Sequence, residues 1–370
     1  MPSASTVRAD APISMLEVSA FNVPTASLES DGTLEWASTT LVYVEVHAAG
    51  ETGIGYTYAD VATAKLIESL MCDTLVGKDA FQIGARWNDM YGVARNLGRG
   101  GIVSMAVSAV DVALWDLKAK LLGVPAYVLF GAVTGAVPVY ASGGFTSYSE
   151  QQLCEQLSGW VDEGIPRVKM KVGRDPEADP ARVAAARGAI GAHVELFIDA
   201  NGAYSAQQAV GLAQEFAAQH VVWFEEPVYR EDYAGTRFVR EHAPPGMEIS
   251  SGEYGYGLYM FARMLAAHTV DVLQADATRC GGFSGLLAVD GLAQSAMTPL
   301  STHCAPHLHL HAALACKQLR HIEYFFDHVR IEQMLFDGAV GPQGGELRPD
   351  ASRPGIGLEL RRRDADRYAL

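Results

Sequence analysis

The first third of the chain shows two kinds of periodicity. Apolar and polar residues alternate in three segments, which predicts β-strands at residues 14–23, 40–47 and 53–58. Apolar residues then recur at helical spacing, which predicts helices at 63–77 and 105–123. A polar segment with turn residues, 24–38, separates the first two strands and is predicted to be a loop. Strands followed by helices predict an α+β unit.

From about residue 137 to residues 321–326, short apolar runs alternate with helical segments. This alternation predicts βα units and a parallel α/β barrel, and a barrel of ~250 residues leaves part of the 370-residue chain for another unit. The stretch after about residue 335 lacks the βα pattern, and we expect it to return to the N-terminal unit. The predicted domains are a cap at 1–130, a barrel at 131–334 and a returning segment at 335–370.

Three successive apolar runs in the barrel region lead to an acidic residue. Asp199 lies in FIDAN, Glu225 in WFEEP and Glu253 in SSGE, and the intervals between them are 26 and 28 residues. Because one βα unit is about this long, the three carboxylates are expected to converge at the same face of the barrel. Three convergent carboxylates with few positively charged neighbours repel one another unless a hard divalent cation binds between them. The sequence therefore predicts a Mg²⁺ site.

Two lysines occupy the strand before these acids. Lys169 and Lys171 are two residues apart, so both side chains point into the barrel, while Val168, Met170 and Val172 face the helices. Neighbouring cations near a metal lower each other's pKa. A lysine with a lowered pKa can act as a base near neutral pH.

Three further polar residues end later apolar runs: Asp276, His303 and Glu323. They follow Glu253 at steps of 23, 27 and 20 residues. An aspartate beside a histidine on the neighbouring strand can orient the imidazole and raise its basicity. We therefore expect Asp276 and His303 to act as a pair.

Composition narrows the functional classes. The formal net charge of −15 argues against a nucleic-acid partner, whose phosphates require a basic surface. No apolar run is long enough for a membrane span, and the N-terminal stretch lacks an apolar secretory core. Five cysteines without a CxxC motif predict reduced, packed thiols. We expect a cytoplasmic enzyme of the α/β class.

In this order and spacing, KMK, FIDAN, WFEEP, SSGE, the Asp276 region before Gly281 and Gly282, and STH resemble the enolase superfamily. More narrowly, they resemble its mandelate racemase subgroup, since the muconate-lactonizing subgroup places a lysine where this chain has Asp276. The resemblance covers nearly the whole chain, including the closing PGIGLEL. It implies a modified (β/α)8-type TIM barrel, (β/α)7β, with an α+β capping domain formed by the N-terminal region and the C-terminal tail.

The resemblance also implies roles for individual residues. The implied Mg²⁺ ligands are Asp199, Glu225 and Glu253. Lys171 is implied as a base on one face of the substrate, and His303, paired with Asp276, on the other. Glu323 matches a residue that hydrogen-bonds the substrate carboxylate, and a protonated Glu323 could donate that bond. Lys169 adds a second positive group near the same oxygens.

These groups suit removal of the proton next to a carboxylate, through an enediolate intermediate. If Lys171 and His303 act in turn on opposite faces, the product is an epimer. If His303 instead protonates a β-hydroxyl leaving group, the product is a 2-keto-3-deoxy acid. Dehydration of a sugar acid, an aldonate or an aldarate, is the preferred hypothesis, so the expected class is a hydro-lyase. A racemase, epimerase or cycloisomerase is the alternative, and an inactive binding protein is a remote one.

Two other interpretations carry less weight. The histidines of HCAPHLHLH could signal the HxH motif of zinc hydrolases, but that motif belongs on a first barrel strand. His307, His309 and His311 are therefore predicted to lie in a loop or on a helix surface. Glu226 has the opposite strand parity from Glu225 and is predicted to be structural.

Two cap loops, PTASLESDGTLEWA at 24–37 and GYTYAD at 55–60, are expected to select the substrate. Tyr56 and Tyr58 in GYTYAD are candidate contacts from the cap, and Ser142 and Asn201 are candidate contacts to polyol hydroxyls. Arg99 is a weaker candidate for binding a distal carboxylate or hydroxyl. The expected partner is a small carboxylate, and we expect a homo-oligomer, between a dimer and an octamer.

Overall fold

A computed structural model describes residues 10–370. Residues 1–9, most of the N-terminal stretch that argued against secretion, lie outside the described residues. The first sheet is antiparallel and contains β1 (Ile13–Ser30), β2 (Glu35–Ala48) and β3 (Glu51–Tyr58). The helices that follow are α1 (Val61–Leu66), α2 (Cys72–Leu75), α3 (Ile83–Val93), α4 (Ile102–Leu121) and α5 (Ala126–Phe130). Together these elements form the α+β cap.

The first two strands are longer than predicted, and the loop predicted at 24–38 is wrong. A register shift follows Pro24, after which pairing resumes with Glu29 opposite Trp36, so the connecting turn is short. The chain pairs here despite its polar residues because much of this ribbon is at the surface, where strand side chains need not be apolar. The helix predicted at 63–77 is interrupted by a π-helical segment at Ile67–Met71.

The long helix α4 packs closely against the cap sheet because β3 contains glycines. A Cβ atom on Gly53 would lie 2.2 Å from the Ala113 carbonyl oxygen, and one on Gly55 would lie 2.1 Å from the Ala109 oxygen. Only glycine permits such an approach of strand to helix. The cap therefore forms a compact unit with its own apolar core.

Eight parallel strands form the closed barrel: β4 (Val137–Gly143), β5 (Arg167–Lys171), β6 (Glu195–Asp199), β7 (Val221–Glu225), β8 (Glu248–Ser251), β9 (Val272–Ala275), β10 (Leu300–Thr302) and β11 (Leu319–Phe325). Pairing of β11 with β4 closes the ring, which confirms the predicted barrel. Val168, Met170 and Val172 pack outward into the helix layer, as their alternation predicted. Aromatic rings such as Tyr140 and Trp223 fill the barrel interior below the lysines.

Helices alternate with these strands and form the outer layer: α6 (Glu150–Asp162), α7 (Asp179–Ile190), α8 (Ala206–Ala217), α9 (Tyr233–His242), α10 (Leu258–Ala266), α11 (Gly282–Ser295), α12 (Pro306–Ala313) and α13 (Phe326–Leu335). Over residues 10–370, none of the helices has both the length and the apolar character that a membrane span requires.

The C-terminal segment contacts both the barrel and the cap. Its short elements are β12 (Phe336–Asp337), β13 (Glu346–Leu347), β14 (Glu359–Leu360) and α14 (Arg362–Ala365). Strand β13 pairs with β4 of the barrel, an addition to the barrel that the sequence did not predict. Farther along, the buried carboxylate of Asp116 on α4 accepts from the backbone N–H groups of Ile54 and Ile356, both at 2.7 Å. The segment thus returns to the cap through this shared carboxylate.

A buried carboxyl group lies where the β1–β2 ribbon of the cap faces helix α13 of the barrel. Glu29 on β1 is fully buried and accepts from the indole N–H of Trp36 at 2.9 Å. The other oxygen of Glu29 has no hydrogen-bond partner. Burial and the nearby Asp327 carboxylate on α13 raise the pKa of Glu29 to about 8. At neutral pH this carboxyl group is therefore largely protonated where the cap contacts the barrel.

This raised pKa predicts a pH-dependent stability. The contribution of a protonated Glu29 is complete below its ordinary pKa of 4.5 and is lost as the pH rises through about 8. Glu29→Gln stays neutral at every pH and lacks this dependence. Between pH 4.5 and about 8, the free energy of unfolding of the variant should therefore rise relative to that of wild type by up to about 1.4 kcal/mol per pH unit. Urea denaturation at a series of pH values measures this difference. Glu215→Gln, on an exposed part of α8, is the control, and a constant difference for Glu29→Gln would contradict the prediction.

Candidate active site

The three predicted acids meet at the carboxyl ends of the barrel strands. Asp199 and Glu225 are the last residues of β6 and β7, and Glu253 lies two residues after β8. One carboxylate oxygen from each lies within 4.8 Å of the other two, and all three side chains are buried. The spacing argument therefore predicted their convergence correctly.

Gly252 brings the third acid into this cluster. Its φ of +135° lies in a region that side-chain-bearing residues rarely adopt, and a Cβ atom there would lie 2.2 Å from the Gln274 carbonyl oxygen. Glu253 Oε2 is buried without a hydrogen bond, and its near neighbour His303 Nε2 lies 3.3 Å away. A buried, unpaired oxygen in a set of three carboxylates fits a hard divalent cation such as Mg²⁺.

The two lysines point into the barrel and contact these acids, as predicted. Lys169 Nζ lies 2.6 Å from Glu225 Oε1 and 3.6 Å from Asp199 Oδ2, and Lys171 donates to Asp199. The expected lowering of the lysine pKa is wrong for this arrangement. Burial is the largest effect on Lys171 and lowers its pKa, but Asp199, Glu253 and Glu225 together outweigh burial and the neighbouring lysine, so the pKa is raised. The carboxylates around Lys169 raise its pKa in the same way.

Asp276 and His303 form the predicted pair. Asp276 Oδ2 lies 2.8 Å from His303 Nδ1, and Asp276 Oδ1 accepts from the backbone N–H of Thr278 at 2.7 Å. Burial and Arg279 lower the pKa of His303, but the Glu253 carboxylate, the bond to Asp276 and the Glu323 carboxylate together outweigh them and raise the pKa overall. The imidazole therefore favours its protonated form, with Nε2 directed toward the carboxylate cluster.

Glu323 contacts the same cluster but is ionised. Its Oε1 lies 2.8 Å from Lys169 Nζ, and its Oε2 accepts from the backbone N–H of Cys304 at 2.8 Å. Burial is the largest effect on Glu323 and raises its pKa, but Lys169, His303 and Lys171 together outweigh it, and the net direction is downward. The suggestion that a protonated Glu323 donates a hydrogen bond is therefore wrong for this arrangement.

Glu226 lies closer to the cluster than its strand parity suggested. The residue has a φ of +37°, which turns the chain after β7, and its side chain is buried beside Ser251, 3.4 Å from that hydroxyl. Burial first, and then the charges of Glu253 and Asp199, raise its pKa well above the usual value. Glu226 is thus a neutral neighbour of the three acids.

The cluster opens into a cavity of about 380 Å³ between the barrel and the cap. Four predicted site residues line it: Lys171, Asn201, Glu253 and His303. The side-chain oxygen of Asn201 is buried without a partner, so it is available to a ligand hydroxyl. Tyr58 also lines the cavity, as the cap motif suggested.

Three candidate substrate contacts lie elsewhere. Tyr56 is fully buried, donates to Glu332 at 2.7 Å and stacks on Phe336, so its assignment to substrate is wrong. Tyr56 precedes Tyr58 by two residues in β3 and packs between the cap and the barrel, whereas Tyr58 lines the cavity. Ser142 is fully buried opposite Lys169 on the neighbouring strand and does not line the cavity. Arg99 lies over the ring of Tyr91 and is also absent from the lining.

Six cavity residues were not predicted individually: Asp31, Trp36, Tyr254, Arg279, Cys304 and His328. Asp31 and Trp36 lie in the cap segment 24–37, which was expected to select the substrate. Arg279 lies three residues after Asp276, and its guanidinium is 3.6 Å from both Asp276 Oδ2 and Glu253 Oε1. Its position in the DATRC motif was a usable signal. The position of Trp36 on the cavity wall was not predicted, because the ribbon that carries it was predicted to be a loop.

The three later histidines are buried, which corrects their predicted surface position. His307 contacts Glu332, and His311 Nδ1 accepts from the backbone N–H of Tyr127 at 3.3 Å. His309 Nε2 accepts from the backbone N–H of Ala277 at 2.8 Å, just after Asp276. Helix α12 is enclosed, and its apolar and histidine residues pack all round. Within residues 10–370, none of the three histidines joins a group of three metal-binding side chains.

A capped parallel barrel with three convergent acids, two lysines and a histidine defines the class of the protein. Two family models match the chain: mandelate racemase/muconate lactonizing enzyme, N-terminal domain, over residues 18–131, and enolase C-terminal domain-like, over residues 152–365. The chain therefore belongs to the mandelate racemase/muconate lactonizing enzyme family of the enolase superfamily.

Several characterised proteins and solved structures are similar to this chain. The 3,6-anhydro-alpha-L-galactonate cycloisomerase of Streptomyces coelicolor is 34% identical over 84% of this chain and 86% of that protein. A mandelate racemase/muconate lactonizing enzyme-like protein from Rubrobacter xylanophilus is 52% identical, with a TM-score of 0.95 over 97% of this chain and 100% of that chain. L-Talarate dehydratase from Polaromonas sp. JS666, complexed with Mg and L-glucarate, is 28% identical, with a TM-score of 0.88 over 97% of this chain and 98% of that chain. The predicted cofactor, Mg²⁺, agrees with this family.

The geometry of the three acids predicts how substitutions affect metal binding. Asp199→Asn should weaken Mg²⁺ binding by at least about 10–100-fold, because even residues that only support metal ligands have effects of that size. Isothermal titration calorimetry measures the affinity. Glu226→Gln is the matched control, since glutamine resembles the protonated carboxyl group, and its affinity should stay near that of wild type. Equal affinity in wild type and Asp199→Asn would contradict the assignment.

Proposed function

We propose that this protein is a Mg²⁺-dependent hydro-lyase that dehydrates a sugar acid, an aldonate or an aldarate, to a 2-keto-3-deoxy acid. The observation that carries the proposal is the pair of candidate bases in one cavity. Lys171 ends β5 and His303 follows β10, and these two strands stand three apart on one side of the ring and five on the other. A bound substrate can therefore meet the two groups from nearly opposite sides.

The residues around the cavity floor would bind and orient the carboxylate. Asp199, Glu225 and Glu253 would hold the metal, and Lys169 would contribute a fixed positive charge beside it. When bound, Mg²⁺ supplies positive charge that stabilises the developing enediolate and offsets the Asp199 charge that holds Lys171 protonated. Glu323 fixes Lys169 through their 2.8 Å contact. Asn201 would accept from a substrate hydroxyl.

The proton transfers follow from the two bases. Neutral Lys171 would take the α-proton, and the electron pair of that C–H bond would pass into the carboxylate to give the enediolate. Return of this electron pair would then form the α,β double bond as the β-carbon–oxygen bond breaks. His303, whose proton is favoured by Glu253 and Asp276, would give a proton to the departing oxygen. The enol product then tautomerises to the 2-keto acid. Asp276 would keep Nε2 of the imidazole directed at the leaving group.

A cycloisomerase is the second candidate, favoured by the 34% identity to a protein of that activity. The same elimination gives water when the departing oxygen is a free hydroxyl group. It gives an isomer when the oxygen belongs to a ring of the substrate, because the leaving group stays attached. One arrangement of Lys171 and His303 therefore serves both reactions, and the substrate decides between them.

We also propose that the protein forms a homo-oligomer.

Substitution of Lys171 and substitution of His303 should impair different steps of the reaction. Proton NMR monitors the reaction in D₂O with Mg²⁺. The wild-type protein should convert a sugar acid, and the α-proton signal should disappear. His303→Asn should still exchange the α-proton but lose elimination by about 10²–10⁴-fold, because only the acid is removed. Lys171→Ala should lose both exchange and elimination. Lys65→Ala, on the exposed side of α1, is the control.

Other outcomes would redirect the assignment. Exchange by wild type with the β-hydroxyl retained would identify a racemase or epimerase. Conversion of cyclic acids without release of water would identify the cycloisomerase. The absence of exchange and turnover with metal bound would contradict α-proton chemistry on sugar acids and favour a binding protein.

A further inference from the structure

The cavity has two chemically different sides. The floor carries the acids, lysines and His303 of the barrel. The opposite wall comes mainly from the cap ribbon and the β3–α1 connection, with hydroxyl groups and two carboxylates: Asp31, Ser38, Thr39, Thr40, Tyr58 and Asp60. A substrate held by its carboxylate at the floor must direct its other end toward this wall.

The two carboxylates of the wall are fixed and have no cationic partner. Asp31 accepts from the backbone N–H groups of Thr33 at 2.6 Å and Leu34 at 2.7 Å, and it is only 8% exposed. Asp60 caps α1 by accepting from the backbone N–H of Ala62 at 2.8 Å. Across residues 10–370, neither aspartate forms an ion pair with a lysine or arginine. Their negative charge is therefore presented to the cavity.

The lysine and arginine side chains of the lining are already engaged at the floor. Lys171 contacts Asp199, and Arg279 lies between Asp276 and Glu253, each at 3.6 Å. Arg99, the sequence-based candidate for a distal carboxylate, lies over Tyr91 instead. In the described part of the cap, no lysine or arginine lines the cavity.

His328 adds a neutral donor to the lining. Its Nδ1 accepts from the backbone N–H of Ala305 at 3.2 Å, which leaves the proton on Nε2. Burial, followed by the charge of His303, lowers the pKa of His328 well below the usual value. An uncharged N–H group suits a hydroxyl or ether oxygen better than a carboxylate.

We infer that the substrate is a monocarboxylic sugar acid, an aldonate or a cyclic form of one, whose far end carries hydroxyl or ether oxygens. A second carboxylate at that end would face Asp31 and Asp60 without a cation to neutralise it. The inference rests on the proposed function, because that function places the reacting carboxylate at the floor. It separates two substrate classes that the proposed reaction leaves open.

The test compares binding of matched acids and does not need turnover. Full-length His303→Asn with saturating Mg²⁺ is titrated with D-galactonate and galactarate, and with D-gluconate and D-glucarate, by isothermal titration calorimetry. In the pair that binds, the monoacid should bind at least about tenfold more tightly than the diacid. The preference should shrink as salt is raised, since salt screens repulsion between charges. Equal or tighter binding of the diacid would overturn the inference.

A double variant tests the cause. Asp31→Asn with Asp60→Asn removes both charges and keeps an oxygen for each backbone bond, so the preference for the monoacid should fall by about tenfold. Asp73→Asn, an exposed cap residue outside the cavity, is the control and should keep the preference. An unchanged preference in the double variant would overturn the assignment to these carboxylates. Selective binding of monoacids without α-proton exchange in wild type would instead count against the proposed function alone.

Discussion

Repulsion among buried carboxylates is the constraint on which the rest of this site depends. Side-chain oxygens of Asp199, Glu225 and Glu253 approach within 4.8 Å of one another at buried positions. Such an arrangement persists only with positive charge nearby. Lys169 and Lys171 supply part of that charge, and a divalent cation would supply more. The barrel makes the arrangement possible because its strands fix where each carboxylate begins.

The same constraint explains the protonation states around the site. Lys169 is surrounded by Glu225, Glu323 and Asp199, so it stays charged although it is fully buried. Glu323 is ionised for the converse reason. Glu226 lacks a cation within contact and becomes neutral instead. Each group takes the state that its neighbours stabilise, and the charge of the metal becomes part of this balance in the working enzyme.

The sequence predicted those features that depend on order and spacing along the chain. Regular intervals between strand ends located Asp199, Glu225 and Glu253, and the two-residue period of a strand placed Lys169 and Lys171 inside the barrel. Features that depend on contacts between distant segments were not predictable. The pKa of Lys171 depends on Asp199 across a strand pair, and the burial of His309 depends on α12 packing beneath the end of β9. Tyr56 and Tyr58 share one strand face, and only the position of the cap over the barrel separates their roles.

The central claim is that the three strand-end acids are the metal ligands. Crystals grown with Mn²⁺ in place of Mg²⁺ test it directly, because Mn²⁺ accepts similar oxygen ligands and its anomalous scattering locates the ion. If the three acids bind the metal, one strong peak is expected within about 2.5 Å of an oxygen from each of Asp199, Glu225 and Glu253. A peak at the surface group of Glu17, Glu45 and His47, with none between the barrel acids, would contradict it.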